Sequence, residues 1–157
     1  MRKGVSEVLR VRNDLTEISR LQEVFAGLAE EWRLPSEIEF KISLALEEVL
    51  SNVLRHGCMP GAEHKIEVRL ARDGEGIEFE VIDDGIAYDP LSRPDPDVTL
   101  PLDQRRPGGL GVFLVRKIAD ELRYERSEGR NHLFFRLDAV NVVVTNWNST
   151  TLCTRNV

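Results

Sequence analysis

The stretch ALEEVLSNVLRHG, residues 45–57, combines an apolar helical stripe with a carboxylate and an amide. At roughly 100° per residue, the apolar side chains from position 38 onward share one face of a helix. These are Ile38, Ile42, Ala45, Leu46, Val49 and Val53. Glu48 and Asn52 lie about 40° apart on one flank of that stripe, whereas Glu47 points away from it. The stretch therefore predicts a core helix that carries a polar pair at its boundary.

The acid–amide pair has a functional and a structural interpretation. A carboxylate at the edge of a core can accept a proton, and an amide oxygen is a hard ligand that suits Mg²⁺. Pairs with this spacing are also common as ordinary boundary residues on helices. The pair alone leaves both interpretations open.

Helical spacing also surrounds this stretch. It predicts a first helix over 14–33, capped by Asn13 or Asp14. Ser36 and Glu39 form an S-x-x-E capping box that opens the second helix, which continues through the quoted stretch. A third helix is predicted over residues 111–122.

Alternating apolar residues predict five strands, and D-G-E-G and E-G-R-N turns join four of them into two hairpins with one solvated face. The strands are predicted over 5–11, 65–71, 77–82, 122–127 and 132–138. Helices and antiparallel hairpins in this order indicate an α+β fold. We expect a two-layer α/β sandwich in which a mixed, mostly antiparallel sheet carries helices on one face.

Bulk properties exclude several classes of protein. The formal net charge of -6 argues against nucleic acid as a partner, because no broad basic face is available to a phosphate backbone. The two cysteines, Cys58 and Cys153, lack C-x-x-C spacing, so neither a disulfide framework nor a zinc site is indicated. No apolar run reaches the roughly 18 residues that would span a membrane. We therefore expect a soluble, cytoplasmic protein with no membrane partner.

The length of 157 residues is most simply one domain, which we place at 1–138. Residues 139–157 carry almost no charge and no clear period, and we predict a C-terminal tail or an added strand there. Within the domain, residues 88–107 hold five of the seven prolines and few apolar side chains. A loop of this length inside a compact domain is usually functional or disordered.

Two glycine-containing segments follow the acid–amide helix. In VIDDGIAYDP, residues 81–90, a strand ends at Asp83, whose carboxylate can accept a hydrogen bond from, for example, an exocyclic amine. Gly85 would allow the backbone to approach closely. The alternative is a plain D-D-G turn.

The second segment is RRPGGLGVFLVRKIAD, residues 105–120, in which three glycines lead into a helix. The free N–H groups at a helix N-terminus can hold an anion, and Arg105 and Arg106 could add charge. The alternative is a flexible hinge. Each segment alone is weak, but the order of all these features is specific.

That order resembles the GHKL superfamily of ATP-binding proteins. The segments LEEVLSNVLRHG, VIDDGIAYDP and RRPGGLGVFLVRKIADELRYE are most similar to the bacterial anti-sigma-factor serine/threonine kinases of partner-switching pathways. The resemblance covers roughly residues 10–137. It implies a histidine-kinase-type ATPase fold that binds ATP and Mg²⁺.

The resemblance also implies roles for individual residues. Glu48 would be the general base and Asn52 the Mg²⁺ ligand, while Asp83 would read adenine beside Gly85. Residues 88–107 would form the ATP lid. The implied nucleotide-binding set is Asn52, Asp83, Gly85, Ala87, Arg106, Gly108, Gly109, Leu110, Gly111 and Val112. Ala87 departs from the family pattern, which usually has glycine there, and its methyl group could cost affinity for adenine.

Within the superfamily, sequence context favours one chemistry. Only about 35 residues precede the acid–amide helix, too few for the phospho-accepting hairpin of a sensor histidine kinase. We expect transfer of the ATP γ-phosphate to a serine or threonine of a small antagonist protein, with a sigma factor as a further partner and a homodimer as the assembly. Two alternatives stay open: a nucleotide-switched binding module without phosphotransfer, and the ATP-binding half of a sensor kinase acting in trans on a histidine.

Overall fold

The computed structural model describes residues 5–74, 76–104 and 109–139. It contains three α-helices and five strands in these ranges: β1 Val5–Val11, α1 Thr16–Glu31, α2 Ser36–Asn52, β2 Ile66–Arg72, β3 Gly76–Asp83, α3 Leu110–Ile118, β4 Glu121–Ser127 and β5 Arg130–Asp138. A π-helical turn, Val53–Gly57, extends α2. Beyond Ala139, the predicted tail or added strand lies outside the described residues. No described helix is long and apolar enough to cross a membrane.

The strands form a single sheet in the order β1-β2-β3-β5-β4, with β1 and β4 outermost. Each of its four described pairings is antiparallel, and both predicted hairpins are present. The α+β prediction is therefore confirmed, with a sheet that is more uniformly antiparallel than the mixed one expected. The β3–β5 register places Asp83 opposite Asn131, at the end of the sheet where the candidate site lies.

The core lies between the sheet and the helices. The predicted stripe of α2 is buried, with Ile38, Ile42 and Leu46 at 0% exposure, and Val53 at the end of the stripe is partly buried. From the sheet, Phe79 stacks on Phe135 with ring centroids 4.5 Å apart. Burial of such large side chains contributes about 1.5–3 kcal/mol each, so this layer fixes the position of α2 over the sheet.

The predicted capping box of α2 is wrong. Ser36 is already the first helical residue, Pro35 occupies the cap position, and within the described chain no side chain caps this end. Because Ser36 lies one position too far into the helix, its hydroxyl is not placed to cap. The Glu39 N–H instead donates to the Pro35 carbonyl at 3.0 Å.

At the start of α1, Leu15 occupies the cap position without a side-chain cap, and Asp14 rather than Asn13 bonds the first helical N–H. The Asp14 carboxylate accepts a hydrogen bond from the Thr16 N–H at 2.9 Å. The Asn13 amide donates to the carbonyls of Met59 and Ala62, at 3.0 Å each. Asn13 thereby ties the start of α1 to the segment that follows α2.

Helix α3 is shorter than the predicted 111–122. Its last residue is Ile118, and Ala119 is extended with ψ of 137°. The N–H of Asp120 donates to the Arg136 carbonyl, so strand β4 starts where the sequence pattern still read as helical.

The second hairpin also differs in register from the prediction. Glu128 and Gly129 form a two-residue turn with φ of 51° and 75°. Turns with two positive φ values match the twist of paired strands. Strand β5 therefore starts at Arg130, and Asn131 lies in the strand instead of the turn.

The face of the sheet opposite the helices is less solvated than expected. Glu78 is 4% exposed and its carboxylate pairs with Arg136 at 2.5 Å. Arg136 also pairs with Asp73 and Asp138, at 2.7 Å each. The hydrogen bonds that the guanidinium donates to Asp73 first, and then to the other carboxylates, raise its pKa. This ion cluster covers the start of β3, beside the turn that joins it to β2.

Candidate functional site

A cleft lies between α2, α3 and the end of the sheet at Asp83. It comprises three adjoining hollows of about 240, 320 and 340 Å³, including space open to solvent, and Asn52 and Pro90 border all three. The cleft has two ends that differ in chemistry. The "Asp83 end" is the hollow bordered by Asp83, and the "Glu48 end" is the region bordered by Glu48 and the start of α3.

At the Asp83 end, a buried carboxylate meets apolar walls. Asp83 is 3% exposed, and its Oδ1 accepts hydrogen bonds from the Gly85 N–H and from Asn131 Nδ2, both at 2.9 Å. Its Oδ2 accepts none from the part of the chain that the structure describes. Val49 and Leu133 are among the apolar residues that line the hollow. A buried acceptor beside apolar side chains suits a flat ligand with a hydrogen-bond donor.

Gly85 makes a close backbone approach within the protein. A Cβ at this position would overlap the carbonyl of Gly57. The N–H of Ile86 donates to that same carbonyl at 3.0 Å. The glycine therefore seats the segment after β3 against the end of α2. Ala87, next along, is exposed.

The Glu48 end holds a second, very different carboxylate. Glu48 is partly buried, and the described residues give it no hydrogen bond. Burial raises the pKa of this carboxyl, the negative charge of Glu47 raises it further, and Arg55 opposes the shift. A desolvated carboxylate without a partner has its lone pairs available for a proton.

The carboxylate of Glu48 lies against Gly111, in the first turn of α3. A Cβ on Gly111 would overlap Glu48 Oε2, so the absence of a side chain makes this contact possible. Gly109 precedes the helix in the left-handed region at φ of 85°. The glycine segment thus brings the free N–H groups of a helix start close to Glu48.

The neighbouring predicted residues have different surroundings. Val112 borders the hollows, whereas Leu110 is 46% exposed. Arg105, Arg106 and Gly108 lie outside the described residues. Of the predicted set, the structure brings Glu48 to Gly111 and Val112, and Asp83 to Gly85, with Asn52 between the two groups.

Asn52 and His56 follow Glu48 along the same side of α2. Asn52 is half-buried, and His56 is exposed with its ring centroid 6.0 Å from that of Tyr88. Both border the hollow that reaches Gly109. The side chains of this face therefore run from the Glu48 end toward the proline-rich loop.

The first part of the proline-rich loop is fastened to α3 by Arg116. Its guanidinium pairs with Asp95 at 2.7 Å and donates to the carbonyls of Leu91 and Arg93. Asp89 caps a short 3₁₀ turn in the same segment by accepting from the Leu91 N–H at 2.8 Å. Loop residues 89–95 are thus held in place, whereas 105–107 lie outside the described residues.

Sequence reasoning missed four residues of the site: Asn131, Tyr124, Arg126 and Arg116. Asn131 is 6% exposed and bonds Asp83, while Tyr124 and Arg126 bond Asn131. The sequence did contain one signal for Asn131. In an alternating strand it lies two positions before Leu133, and therefore on the same inward face. Arg116 contacts residues that are distant in the sequence, so the spacing of residues around it does not indicate these contacts.

Comparison with known proteins places the chain in a family. The family model described as "Histidine kinase-like ATPase domain" matches residues 11–137. The serine/threonine-protein kinase BtrW of Bordetella bronchiseptica is 33% identical over 101 residues, which cover 64% of this chain and 71% of that protein. The serine-protein kinase RsbW of Listeria monocytogenes is 23% identical over 133 residues, covering 82% and 83% respectively.

A crystal structure of RsbU and RsbW domains from Mycobacterium tuberculosis shares the fold, with a TM-score of 0.62 at 14% identity. The match covers 85% of this chain and 31% of that longer one. The antiparallel sheet and the helices agree with this likeness. With a family match over most of its length, the chain belongs to the histidine kinase-like ATPase domain family, of the GHKL type.

Proposed function

We propose that this protein is an ATP-dependent serine/threonine kinase that phosphorylates a small antagonist protein and thereby controls a partner such as a sigma factor. The observation that carries the proposal is Glu48, a partly buried carboxylate without a hydrogen-bond partner among the described residues, next to the start of α3. The names of the relatives, which are serine or serine/threonine kinases, support it. A nucleotide-switched binding module would have no use for such a base.

The cleft fits an adenine nucleotide. At the Asp83 end, the carboxylate oxygen Oδ2 has no donor from the described part of the chain and can accept from an exocyclic amine, and Val49 and Leu133 can flank a planar base. At the Glu48 end, the N-terminus of α3 can hold phosphate through backbone N–H groups, which Gly111 leaves accessible. We assign Gly85 and Ala87 beside the base, and Gly109, Leu110, Gly111 and Val112 to the phosphates, with Arg106 and Gly108 completing this set.

The chemistry of Asn52 fits Mg²⁺. An amide oxygen is a hard ligand, and Mg²⁺ typically takes only one or two protein oxygens and fills its octahedron with water and phosphate. Among the described residues, no cluster of three or more His, Cys, Asp or Glu side chains competes for a metal ion. Bound there, Mg²⁺ would neutralise phosphate charge as it develops. Asn52 would hold the ion between the two ends of the cleft.

Glu48 would act on the acceptor hydroxyl. As the serine or threonine oxygen forms its bond to the γ-phosphorus, Glu48 takes the hydroxyl proton, and the bond from the γ-phosphorus to the β–γ bridging oxygen breaks. ADP leaves with that electron pair, and Glu48 returns its proton to solvent. The N–H groups at Gly111 and Val112 would stabilise charge on the phosphoryl oxygens. The raised pKa of Glu48 matches this role, because a stronger base takes the proton more readily.

We assign residues 1–138 to the ATP-binding kinase domain and the loop 88–107 to a lid over the nucleotide. The attachment of residues 91–95 to Arg116 supports a lid with one anchored part. The antagonist protein, the sigma factor and the homodimer stay predictions, because the chemistry of this cleft does not identify them.

One experiment tests the proposal directly. The protein is incubated with γ-labelled ATP, Mg²⁺ and candidate antagonist proteins, and the product is exposed to acid. Phosphoserine or phosphothreonine keeps the label, whereas phosphohistidine loses it, which would favour the trans-acting sensor-kinase alternative. Nucleotide binding without any transfer to a protein would favour the binding module.

A melting experiment gives an independent first step. Nucleotide at a hundred times Kd stabilises a fold by about 2.7 kcal/mol, which raises the melting temperature by roughly 5–10 °C for a domain of this size. We expect this shift with ATP or ADP in the presence of Mg²⁺. An unchanged melting temperature at saturating nucleotide would contradict ATP binding.

A further inference from the structure

The side chain of Asn131 has no capacity left for a ligand. Its Nδ2 donates to Asp83 Oδ1 at 2.9 Å and to the Ile86 carbonyl at 2.8 Å. Its Oδ1 accepts from the Tyr124 hydroxyl and from Arg126 Nη1, both at 2.8 Å. A primary amide offers two donors and two acceptor lone pairs. All four are therefore used within the protein, and the residue is 6% exposed.

The partners also fix which way the amide points. Arg126 can only donate, so the atom facing it must be the amide oxygen. The Asp83 carboxylate and the Ile86 carbonyl can only accept, so the atom facing them must be the amide nitrogen. Burial raises the pKa of the Tyr124 phenol, which keeps its hydroxyl protonated and able to donate. Rotation of the amide by 180° would lose the bonds to Arg126, Asp83 and Ile86.

The fixed amide determines which oxygen of Asp83 is free. Oδ1 is occupied by two donors, the Gly85 N–H and Asn131 Nδ2. Arg126 Nη1 also donates to the Gly85 carbonyl at 3.0 Å, so the same guanidinium holds both the amide and the segment that binds Oδ1. Since no donor among the described residues reaches Oδ2, this oxygen is left as the acceptor at the Asp83 end.

We propose that Asn131 is a positioning residue for base specificity, oriented by Tyr124 and Arg126, that presents Asp83 Oδ2 to the exocyclic amine of the bound base. This inference rests on the proposed function, because it assumes that a nucleotide occupies the Asp83 end. Asn131 acts through Asp83, because its own donors and acceptor lone pairs are used within the protein. Its loss therefore changes which base is preferred, in addition to any effect on stability.

The test compares two nucleotides that differ at one group. Inosine diphosphate has a carbonyl where adenosine diphosphate has the exocyclic amine, so it cannot donate to Asp83 Oδ2. Calorimetric titration with Mg²⁺ gives the ratio of the two Kd values for the full chain and its variants. We expect the parent protein to prefer adenosine diphosphate by about 10- to 100-fold, as for a hydrogen bond to a charged group.

Three variants separate positioning from folding. Asn131→Leu, similar in size but without polar atoms, should reduce the preference at least roughly five-fold, and Tyr124→Phe should reduce it by a smaller factor of roughly two to five. His132→Leu is the matched control: it is the next residue on the opposite face of β5, and its ring contacts Glu80 at 3.0 Å instead of Asp83. It should leave the preference unchanged even if the melting temperature falls.

The outcomes are distinguishable. If the parent protein binds neither nucleotide, the proposed function fails. If the parent discriminates, and folded Asn131→Leu keeps the parental ratio, the inference alone is overturned. Should Asn131→Leu not fold, Tyr124→Phe decides, and an unchanged ratio in that variant overturns the inference. An equal loss of preference in His132→Leu would also overturn it, since the effect would then be a general one on the sheet.

Discussion

The two ends of the cleft hold carboxylates that differ in nearly every respect. Asp83 is 3% exposed and is held by two hydrogen bonds on one oxygen, whereas Glu48 is less buried and has no hydrogen bond from the described residues. Two donors make a carboxylate a fixed acceptor, while desolvation without donors makes one a base. The proposed function uses this difference: the Asp83 end would recognise a donor group on the ligand, and the Glu48 end would exchange a proton.

The largest expected effect would come from removing the base. Glu48→Gln keeps the size of the side chain but cannot take the proton, so phosphotransfer should fall by about 10²–10⁴-fold while nucleotide binding persists. The folded-state pKa of Glu48 is raised, which means that its charged form costs stability above that pKa. Glu48→Gln should therefore melt at the same temperature as the parent, or higher, near neutral pH.

Glu47→Gln is the matched control, because Glu47 is exposed on the adjacent position of α2. Phosphotransfer to an authenticated protein substrate is the measurement. Transfer by Glu48→Gln at the parental rate would remove Glu48 from the mechanism and leave it as a boundary residue.

A smaller effect is expected at the other end. Asp83→Asn would retain an oxygen for the two donors, but its amide nitrogen would then face the exocyclic amine of the base. Two donors facing each other should weaken adenosine diphosphate binding by about 10- to 100-fold, with a much smaller change in melting temperature. Titration calorimetry measures it, and parental affinity would argue that Asp83 is structural only.

The glycines of the two ends give a sharper comparison. A methyl group on Gly85 would meet the backbone of Gly57, which cannot move alone, whereas one on Gly111 would meet the flexible end of Glu48. Gly85→Ala should therefore destabilise the fold by about 1–3 kcal/mol. Gly111→Ala should keep or slightly raise stability, since alanine favours a helix by about 1 kcal/mol, but should reduce phosphotransfer about ten-fold.

The melting temperature and the phosphotransfer rate, measured for both variants and for the parent protein, test this prediction. If Gly85→Ala and Gly111→Ala lose stability and phosphotransfer to the same extent, the two glycine segments do not differ in role.

The smallest effect concerns pH. The proposed mechanism requires ionised Glu48, so the rate should rise as pH increases through a pKa above the ordinary glutamate value, since burial raises the pKa of this carboxyl. Glu47 contributes to that shift, and Glu47→Gln should move the acid limb of the rate profile to lower pH. Rates measured across the acid range test this, and an unmoved limb would mean that another group titrates.

Sequence alone was sufficient for the features that depend on local spacing. Local periods of 3.6 and 2 residues predict three features: the stripe of α2, the flank position of Glu48 and Asn52, and both hairpins. Each of these periods can be read within one continuous segment. The errors occurred where a distant contact decides a local boundary. Helix α3 ends at Ile118 because the backbone N–H of Asp120 already bonds the carbonyl of Arg136 in the sheet. The sequence of residues 111–122 does not indicate that distant partner.

The same reason explains what was missed in the site. Asp83 and Asn131 lie 48 positions apart and meet only through the register of β3 and β5. The amide of Asn131, on the inward face of β5, indicated a buried polar contact. Its partner could not be read from the sequence, because β3 and β5 are neighbours in the sheet but not consecutive strands, so no turn between them sets their register.

The position of β4 at the rim of the sheet has a consequence for behaviour at high concentration. Among the described residues β4 pairs only with β5, so its other side offers backbone groups on which a second chain could template a strand. Its sequence ELRYERS sets charges of both signs along that rim, and Arg123 lies over the ring of Phe134 at 4.5 Å. Solvated charges oppose stacking of strands into aggregates. Replacing Arg123 and Glu125 with valine should therefore increase fibre formation at high concentration, although neither residue borders the cleft.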